Sequence, residues 1–215
     1  MKAKKKPGRV KKSLSKADDT STKERMIVCA TKIFAQKGFE GARVQDILDA
    51  ADVNISAISY YFGNKEGLYL ECLKKAASIG IESSARILIP PSTPEEFKVR
   101  IEIFSEELIM FGVQHTDKVA LLRMESKNPN SFTKNIFLPS IRGSILKFFE
   151  SAQKNKVIVK NIDPKVVATI YFTSLVSLGN EPNIINEFTG KDISDPVLRN
   201  SINKHIIFLL GNILQ

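Results

Sequence analysis

Cysteine, histidine and tryptophan are scarce in this chain of 215 residues, which has two cysteines, two histidines and no tryptophan. Cys29 and Cys72 fall in separate predicted helices among apolar neighbours, so we expect reduced core residues and no disulfide framework. The spacing of the cysteines and histidines is not that of metal ligands, and we expect neither a metal site nor a cofactor.

Long apolar runs are also missing. No stretch approaches the ~18 uninterrupted apolar residues of a membrane-spanning helix, and no apolar segment follows the charged N-terminus as it does in a secretory signal. We therefore expect no membrane association and a cytoplasmic location. With 43% hydrophobic and 26% charged residues, the composition is that of an ordinary globular protein.

The net charge of +9 is concentrated at one end of the chain. Residues 1–16 carry eight basic residues and no acid: Lys2, Lys4, Lys5, Lys6, Arg9, Lys11, Lys12 and Lys16. Because such a segment lacks the apolar residues needed for folding alone, we expect residues 1–19 to be a disordered basic arm. It is either a solubilising tail or an arm that contacts the phosphates or the minor groove of DNA.

Residues 43–62 predict two short helices separated by a tight turn. Apolar residues recur at helical spacing from Val44 to Ala51 and resume at Val53 and Ile58. Asn54 is a good N-cap for the second helix, because its side chain can accept a hydrogen bond from the following backbone. This is the pattern of a helix-turn-helix. The alternative is an ordinary helical hairpin that does not bind DNA.

The same residues, with Phe39-Glu40-Gly41 before them and Tyr61-Phe62-Gly63-Asn64-Lys65-Glu66-Gly67-Leu68 after them, resemble the DNA-binding domain of TetR-type transcriptional regulators. Within that family the segment from Asn54 to Leu68 is most similar to a subgroup that regulates transporters. The resemblance covers residues 22–75. Two residues depart from it: Leu48 stands where a small residue is usual, and Asp52 stands where the turn usually has glycine. Aspartate tolerates the left-handed conformation, so we expect the turn to form.

The resemblance implies an all-α fold with three parts: the arm, a helix-turn-helix domain at residues 20–66, and a larger helical domain for effector binding and dimerisation at residues 67–215. A capping box from Ser21 to Glu24 predicts the start of the first helix, and Lys37-Gly38 its end. The outward residues of the second helix of the pair are the predicted base-contacting residues: Asn54, Ile55, Ser56, Ala57, Ser59 and Tyr60. Phosphate contacts are expected from Arg43, and by position in the family from Tyr61 and Lys65.

Further caps and prolines predict the helices of the second domain. Asn64 begins a long connecting helix that ends before Pro90, and Thr93-Pro94 begins the next one. A helix is expected over residues 116–127, and Asn128-Pro129 predicts the start of another through Lys154, with Ile136 inside and a bend at Pro139. Residues 181–194 are expected to form an exposed loop.

An apolar effector site is predicted beside the bent helix, because helices that pack imperfectly leave a cavity. The candidate residues are Phe104, Phe111, Met124, Phe137 and Phe172, with Arg123 or His115 as polar partners. The alternative is that this aromatic stripe is plain core.

Helices that begin at Asp163-Pro164 and Asp195-Pro196 are predicted to form a two-fold homodimer. The last one carries the stripe Ile202, Ile206, Leu209 and Ile213 and further apolar residues around it. One core cannot cover both sides, so a second copy is expected to bury the other. The alternative is a terminal helix buried within its own monomer.

The favoured function is therefore a ligand-responsive repressor that binds double-stranded DNA at a pseudo-palindromic operator as a dimer. Two alternatives stay open at this point: a helical protein-interaction module and, with less support, an enzyme. The sequence contains no motif for a nucleophile beside a base, paired acids or a metal cluster, so no catalytic residue is assigned.

Overall fold

The computed structural model describes residues 16–128, 131–180 and 182–215, and in these ranges the chain forms ten α-helices and a short π-helical segment. The helices are α1 (Lys16–Gly41), α2 (Val44–Ala51), α3 (Ser56–Phe62), α4 (Lys65–Ile87), α5 (Pro94–Gln114), α6 (Thr116–Glu125), α7 (Leu138–Lys154), α8 (Pro164–Asn180), α9 (Pro182–Thr189) and α10 (Pro196–Gly211). The π-helical segment, Thr133–Phe137, leads directly into α7. The predicted all-α class is confirmed.

The first helix begins earlier than expected. Since α1 starts at Lys16, Ser21 lies inside it and the predicted capping box is wrong, as is the predicted disorder of residues 16–19. Residues 1–15 of the predicted arm lie outside the described residues. At the other end, Gly38 breaks the helix with φ 71° and ψ 175°, a backbone conformation reserved for glycine. The expected glycine stop is confirmed.

Helix α1 is bound to α2 by three polar contacts. Arg25 Nε donates to the Ala51 carbonyl at 2.8 Å, and Cys29 Sγ lies 3.2 Å from the Ala50 carbonyl. Near the other end of α2, the Lys37 ammonium is 2.7 Å from Asp46. The first two contacts use carbonyls at the C-terminal end of α2, where they lack helical partners. Apolar residues between the helices, including Met26, Ile47 and Leu48, are buried.

The long helix α4 joins this N-terminal unit to the rest of the molecule. Its first turn is capped as predicted, with Asn64 Oδ1 accepting from the Gly67 N–H at 2.8 Å. It ends at Ile87, before the two prolines. Further along, Gly80 lies so close to α7 that a β-carbon there would be 3.3 Å from Phe137 Cε2. The predicted boundary at residue 66 falls inside α4, so one continuous helix crosses it.

Aromatic side chains fill the core of the larger helical part. Phe97, Phe148 and Phe149 pack on one another with ring centroids 5.1 to 5.7 Å apart, and all three are fully buried. Phe104 lies beside Tyr171, whose hydroxyl is 2.8 Å from Ser105 Oγ. Thr93 caps α5 as predicted, accepting from the Glu96 N–H at 3.1 Å.

Three expectations for this part are wrong. The chain from 128 to 132 does not use Asn128-Pro129 as a helix start; Ser131 Oγ instead accepts from the Lys134 N–H at 3.1 Å. Ile136, predicted inside, is 52% exposed, because the π-helical turn rotates it outward. The predicted loop at residues 181–194 contains α9, whose apolar residues recur at helical spacing.

Helix α10 packs on α5 through a buried polar cluster. Arg199 donates to Glu106 Oε1 at 3.1 Å and Asn203 donates to Glu106 Oε2 at 2.7 Å. The Arg199 guanidinium also binds the Ser194 carbonyl at 2.5 Å. The chain end is held by Gln215, whose N–H donates to the Val157 carbonyl at 3.0 Å. Leu209, predicted to face the core, is 66% exposed, because these contacts turn its side of α10 outward.

Candidate nucleic-acid interface and ligand cavity

The turn between α2 and α3 depends on a left-handed residue. Asp52 has φ 51° and ψ 57°, and its N–H donates to the Asp49 carbonyl at 3.3 Å, while the Val53 N–H donates to the Leu48 carbonyl at 3.1 Å. These bonds satisfy carbonyls at the end of α2. The expectation that aspartate supports this turn is confirmed, and α3 leaves it as a separate helix.

Helix α3 begins at Ser56 without a side-chain cap. Ile55 occupies the cap position, and Asn54 contributes only its backbone carbonyl, which accepts from the Ala57 N–H at 2.9 Å. The predicted cap by the Asn54 side chain is therefore wrong. That amide is exposed on the surface, where it is available to a ligand.

One face of α3 is anchored and the other is open. Ile58 is buried with 5% of its surface exposed, and Ala57 is half-buried against the same core, so it faces outward less than predicted. Ile55 is 71% exposed and Tyr60 is 73% exposed. The exposed residues at the open face are Asn54, Ile55, Ser56, Ser59 and Tyr60. We call these five residues the α3 face.

Basic residues lie beside the α3 face and not within it. Residues 54–62 contain no charged side chain. Arg43 is exposed at the N-terminus of α2. The Lys65 ammonium lies 4.5 Å from the centroid of the Phe39 ring, a cation–π contact that holds the charge at the start of α4. Tyr61, half-buried, meets the edge of Tyr60 with ring centroids 4.7 Å apart.

A second concave site lies in the larger helical part. It is a cavity of about 210 Å³ between α5, α6, the π-helical segment, α7 and α8. Four of the predicted ligand residues line it: Phe111, Arg123, Phe137 and Phe172. Two do not. Phe104 is fully buried beside Tyr171, and Met124 lies at α1, where its Sδ would be 3.3 Å from a β-carbon on Gly38.

His115 lies outside the cavity at the junction of α5 and α6. Its ring stands 5.4 Å from that of Phe111, measured between centroids. Partial burial, with a smaller contribution from the charge of Lys118, lowers the pKa of His115 below its ordinary value of 6.5. It is therefore a neighbour of the cavity wall and not part of it.

Two cavity features escaped sequence reasoning. Thr133 lines the cavity and is 3% exposed. Glu125, at the end of α6, is 7% exposed and accepts hydrogen bonds from the backbone N–H groups of Phe132 at 3.0 Å and Thr133 at 3.1 Å, and from the Ser131 hydroxyl. The carboxylate thus caps the π-helical segment from another helix. Pro139 was the available signal, since it has no N–H for a regular helix at that point.

Other classes of site receive no support from the described ranges. Within them, no three side chains of the metal-ligating types come together. Both cysteines are unpaired, as predicted, and burial raises the pKa of the Cys72 thiol to about 12. None of the helices described is long and apolar enough to cross a membrane.

Comparison with known proteins places these features in a family. Residues 27–72 match the family described as "Bacterial regulatory proteins, tetR family". The chain is 39% identical over 79 residues to a probable HTH-type transcriptional regulator, YttP, of Bacillus subtilis, covering 35% of this chain and 38% of YttP. It is 28% identical over 105 residues to the HTH-type transcriptional repressor NicS of Pseudomonas putida, covering 49% of this chain and 48% of NicS. The chain thus spans less than half the length of these curated relatives.

The fold is shared over a much longer stretch. The crystal structure of the transcriptional regulator FadR from Bacillus subtilis, in complex with stearoyl-CoA, matches with a TM-score of 0.67 at 16% identity, covering 86% of this chain and 97% of that chain. At that identity the likeness concerns the fold alone. By the sequence of its N-terminal unit and the arrangement of its helices, the chain belongs to the TetR family of bacterial regulatory proteins.

Proposed function

We propose that this chain is a DNA-binding transcriptional regulator that inserts α3 into the major groove. The observation that carries the proposal is the α3 face: a helix anchored by Ile58, braced through α2 by α1, and open on the side that carries Tyr60. In a helix-turn-helix the second helix reads base edges from this position. In this division of labour residues 20–66 bind DNA, and residues 67–215 bind the effector and the partner subunit.

Base reading on this face is mediated by uncharged groups. The amide of Asn54, the hydroxyls of Ser56 and Ser59 and the phenol of Tyr60 supply hydrogen bonds, and Ile55 packs on a thymine methyl. Ala57 is half-buried and contributes a smaller apolar contact. Without arginine or lysine on the face, much of the affinity comes from phosphate contacts. Arg43, Tyr61 and Lys65, which surround the face, make those contacts.

Two substitutions separate base reading from phosphate binding. Operator sequences are selected from random duplexes with the purified protein, and affinity is measured by fluorescence anisotropy at several salt concentrations. Tyr60→Ala should cost about 1–3 kcal/mol on the selected sequence and relax its specificity. Lys65→Ala should weaken binding to all duplexes alike and reduce the salt dependence by about one unit of slope.

The matched control is Lys98→Ala, which removes an exposed lysine on α5, remote from the α3 face in sequence and on another helix. It should leave affinity unchanged. Equal losses from Tyr60→Ala and Lys65→Ala on every sequence would contradict the assigned roles. A protein that selects no sequence at all would contradict the proposed function.

The proposed homodimer uses α8 and α10, between which α9 lies in sequence. Several large apolar side chains on these two helices are at least half exposed: Val166 at 54%, Ile170 at 61%, Val197 at 68%, Phe208 at 70% and Leu209 at 66%. A second copy related by a two-fold axis would bury both helices of each subunit. It would also present two α3 helices to successive major grooves, about 34 Å apart.

Charge substitutions test this interface. Ile170→Asp and Phe208→Asp should each convert the dimer to a monomer in sedimentation equilibrium and lower operator affinity at least tenfold, because burying an unpaired carboxylate is unfavourable. Val99→Asp is the control, since Val99 is 51% exposed on α5. Dimers that survive both substitutions would show that another surface holds the subunits together.

The proposed regulation is repression that a small apolar effector relieves. Support comes from two sources: NicS is named a repressor, and FadR was crystallised with stearoyl-CoA. In this chain Phe137 lines the cavity and packs against Gly80 of α4, the helix that leads to α3. An effector that binds one arrangement of Phe137 better than the other shifts the population of α4 positions, and so the spacing of the two α3 helices.

A further inference from the structure

The cavity contains a buried hydroxyl group without a partner. Thr133 is 3% exposed, and its Oγ1 makes no hydrogen bond within the described structure. Buried polar side chains are nearly always paired, because an unpaired group has lost its water without compensation. Thr133 lies in the cavity lining, among side chains that are otherwise almost all apolar.

The local backbone explains why this hydroxyl has no internal partner. Other helical threonines in the chain bond the carbonyl four residues earlier: Thr169 to Lys165 at 2.7 Å, Thr173 to Thr169 at 2.8 Å. Thr133 stands in the first turn of its segment, where the residue four positions earlier precedes the helix. Its own N–H is already used by Glu125. π-Helical turns of this kind are frequent at functional sites.

The charges around the cavity favour one kind of polar partner. Arg123 contributes a guanidinium to the lining, and none of the described lining residues is acidic. A second guanidinium, that of Arg142, lies 5.5 Å from the ring centroid of Phe172, another lining residue. The carboxylate beside Thr133, that of Glu125, is occupied by three donors of its own chain. An acceptor, and above all an anionic one, therefore suits this wall better than a cation.

We infer that the effector is a compact apolar monocarboxylate whose acid group accepts a hydrogen bond from Thr133 Oγ1 and faces Arg123. The size follows from the volume. A cavity of about 150 Å³ holds benzene, so the volume of about 210 Å³ found here suits one ring with a short acid substituent. The ring would pack against Phe111, Phe137 and Phe172. This inference rests on the ligand-responsive function proposed above and names the chemical class of its effector.

Isothermal titration calorimetry of the full-length protein with benzoate and phenylacetate tests the inference. Toluene supplies the same ring without the acid, and benzylamine supplies it with a cation. The expected result is that at least one acid binds at least about tenfold more tightly than toluene, the margin of a hydrogen bond to a charged group. Benzylamine should bind more weakly than either acid. No binding by either acid at millimolar concentration, equal affinity for toluene, or a preference for benzylamine would each overturn the inference.

Substitutions at the hydroxyl give the sharper comparison. Thr133→Val removes the hydroxyl at nearly constant volume and should reduce acid binding about tenfold while leaving toluene binding unchanged. Thr133→Ser restores a hydroxyl and should restore acid binding. Thr116→Val, on exposed α6 surface, is the control and should change neither. Undiminished acid binding by Thr133→Val would overturn the role of Thr133. Operator binding without any acid is measured separately, so failure of DNA recognition and failure of effector recognition are distinguishable.

Discussion

The contact between Glu125 and the start of the π-helical segment provides a quantitative test of how the cavity wall is built. The carboxylate receives two backbone N–H groups, from Phe132 and Thr133, and the Ser131 hydroxyl. Glu125→Gln keeps the shape of the side chain but replaces one acceptor oxygen by an NH₂ group. At least one buried donor then loses its partner, which costs about 1–3 kcal/mol. Glu125→Ala removes both acceptors, and we expect a loss of about 4 kcal/mol.

Urea denaturation followed by circular dichroism measures both losses as changes in the free energy of unfolding. The protein concentration must be held constant, because dimerisation contributes to apparent stability. Glu71→Gln is the control: its carboxylate is partly exposed and pairs with Lys74 at 2.9 Å, so its loss should stay below about 1 kcal/mol. If Glu125→Gln destabilises the protein no more than Glu71→Gln does, the buried cap is not the support that its geometry indicates.

Three further predictions concern glycine, cysteine and histidine. Gly38→Ala should destabilise the protein by about 2 kcal/mol, since alanine avoids this positive φ, whereas Gly143→Ala, in open space on α7, should stabilise it by about 0.5–1 kcal/mol; thermal melts distinguish the two signs. Native protein should react with iodoacetamide at Cys29 before Cys72, because burial raises the pKa of the Cys72 thiol to about 12; peptide mass spectrometry identifies the modified residue. The lowered pKa of His115 means that the unfolded chain takes up its proton first, so stability should fall as pH decreases through about 6.5, and His115→Gln should flatten that part of the pH profile.

The caps and turns were predictable because their chemistry is local. Asn64 and Thr93 accept hydrogen bonds from backbone groups three residues ahead, within the reach of a sequence pattern. Asp52 supports a left-handed turn by a property of its own side chain. The family resemblance added the order of the helices, which caps alone do not determine.

What could not be predicted depends on contacts between distant segments. Glu125 reaches the next helical segment only after the chain has turned, and the π-helical turn that exposes Ile136 follows from that contact together with Pro139. The orientation of Leu209 is set by the Arg199 cluster on α5. In the cavity, aromatic residues were a fair guide to the lining, but the threonine hydroxyl left unpaired there has no signature in the sequence.

The close approach of α4 and α7 at Gly80 makes one residue responsible for two properties. A β-carbon at position 80 would press on Phe137 Cε2 and on Ile141 Cδ1, the latter at 3.1 Å. The phenyl ring could yield only towards the empty chamber on its other side. Relatives with a bulkier residue at this position would therefore admit smaller guests, so the range of molecules to which such a regulator responds can change through a helix that never touches them.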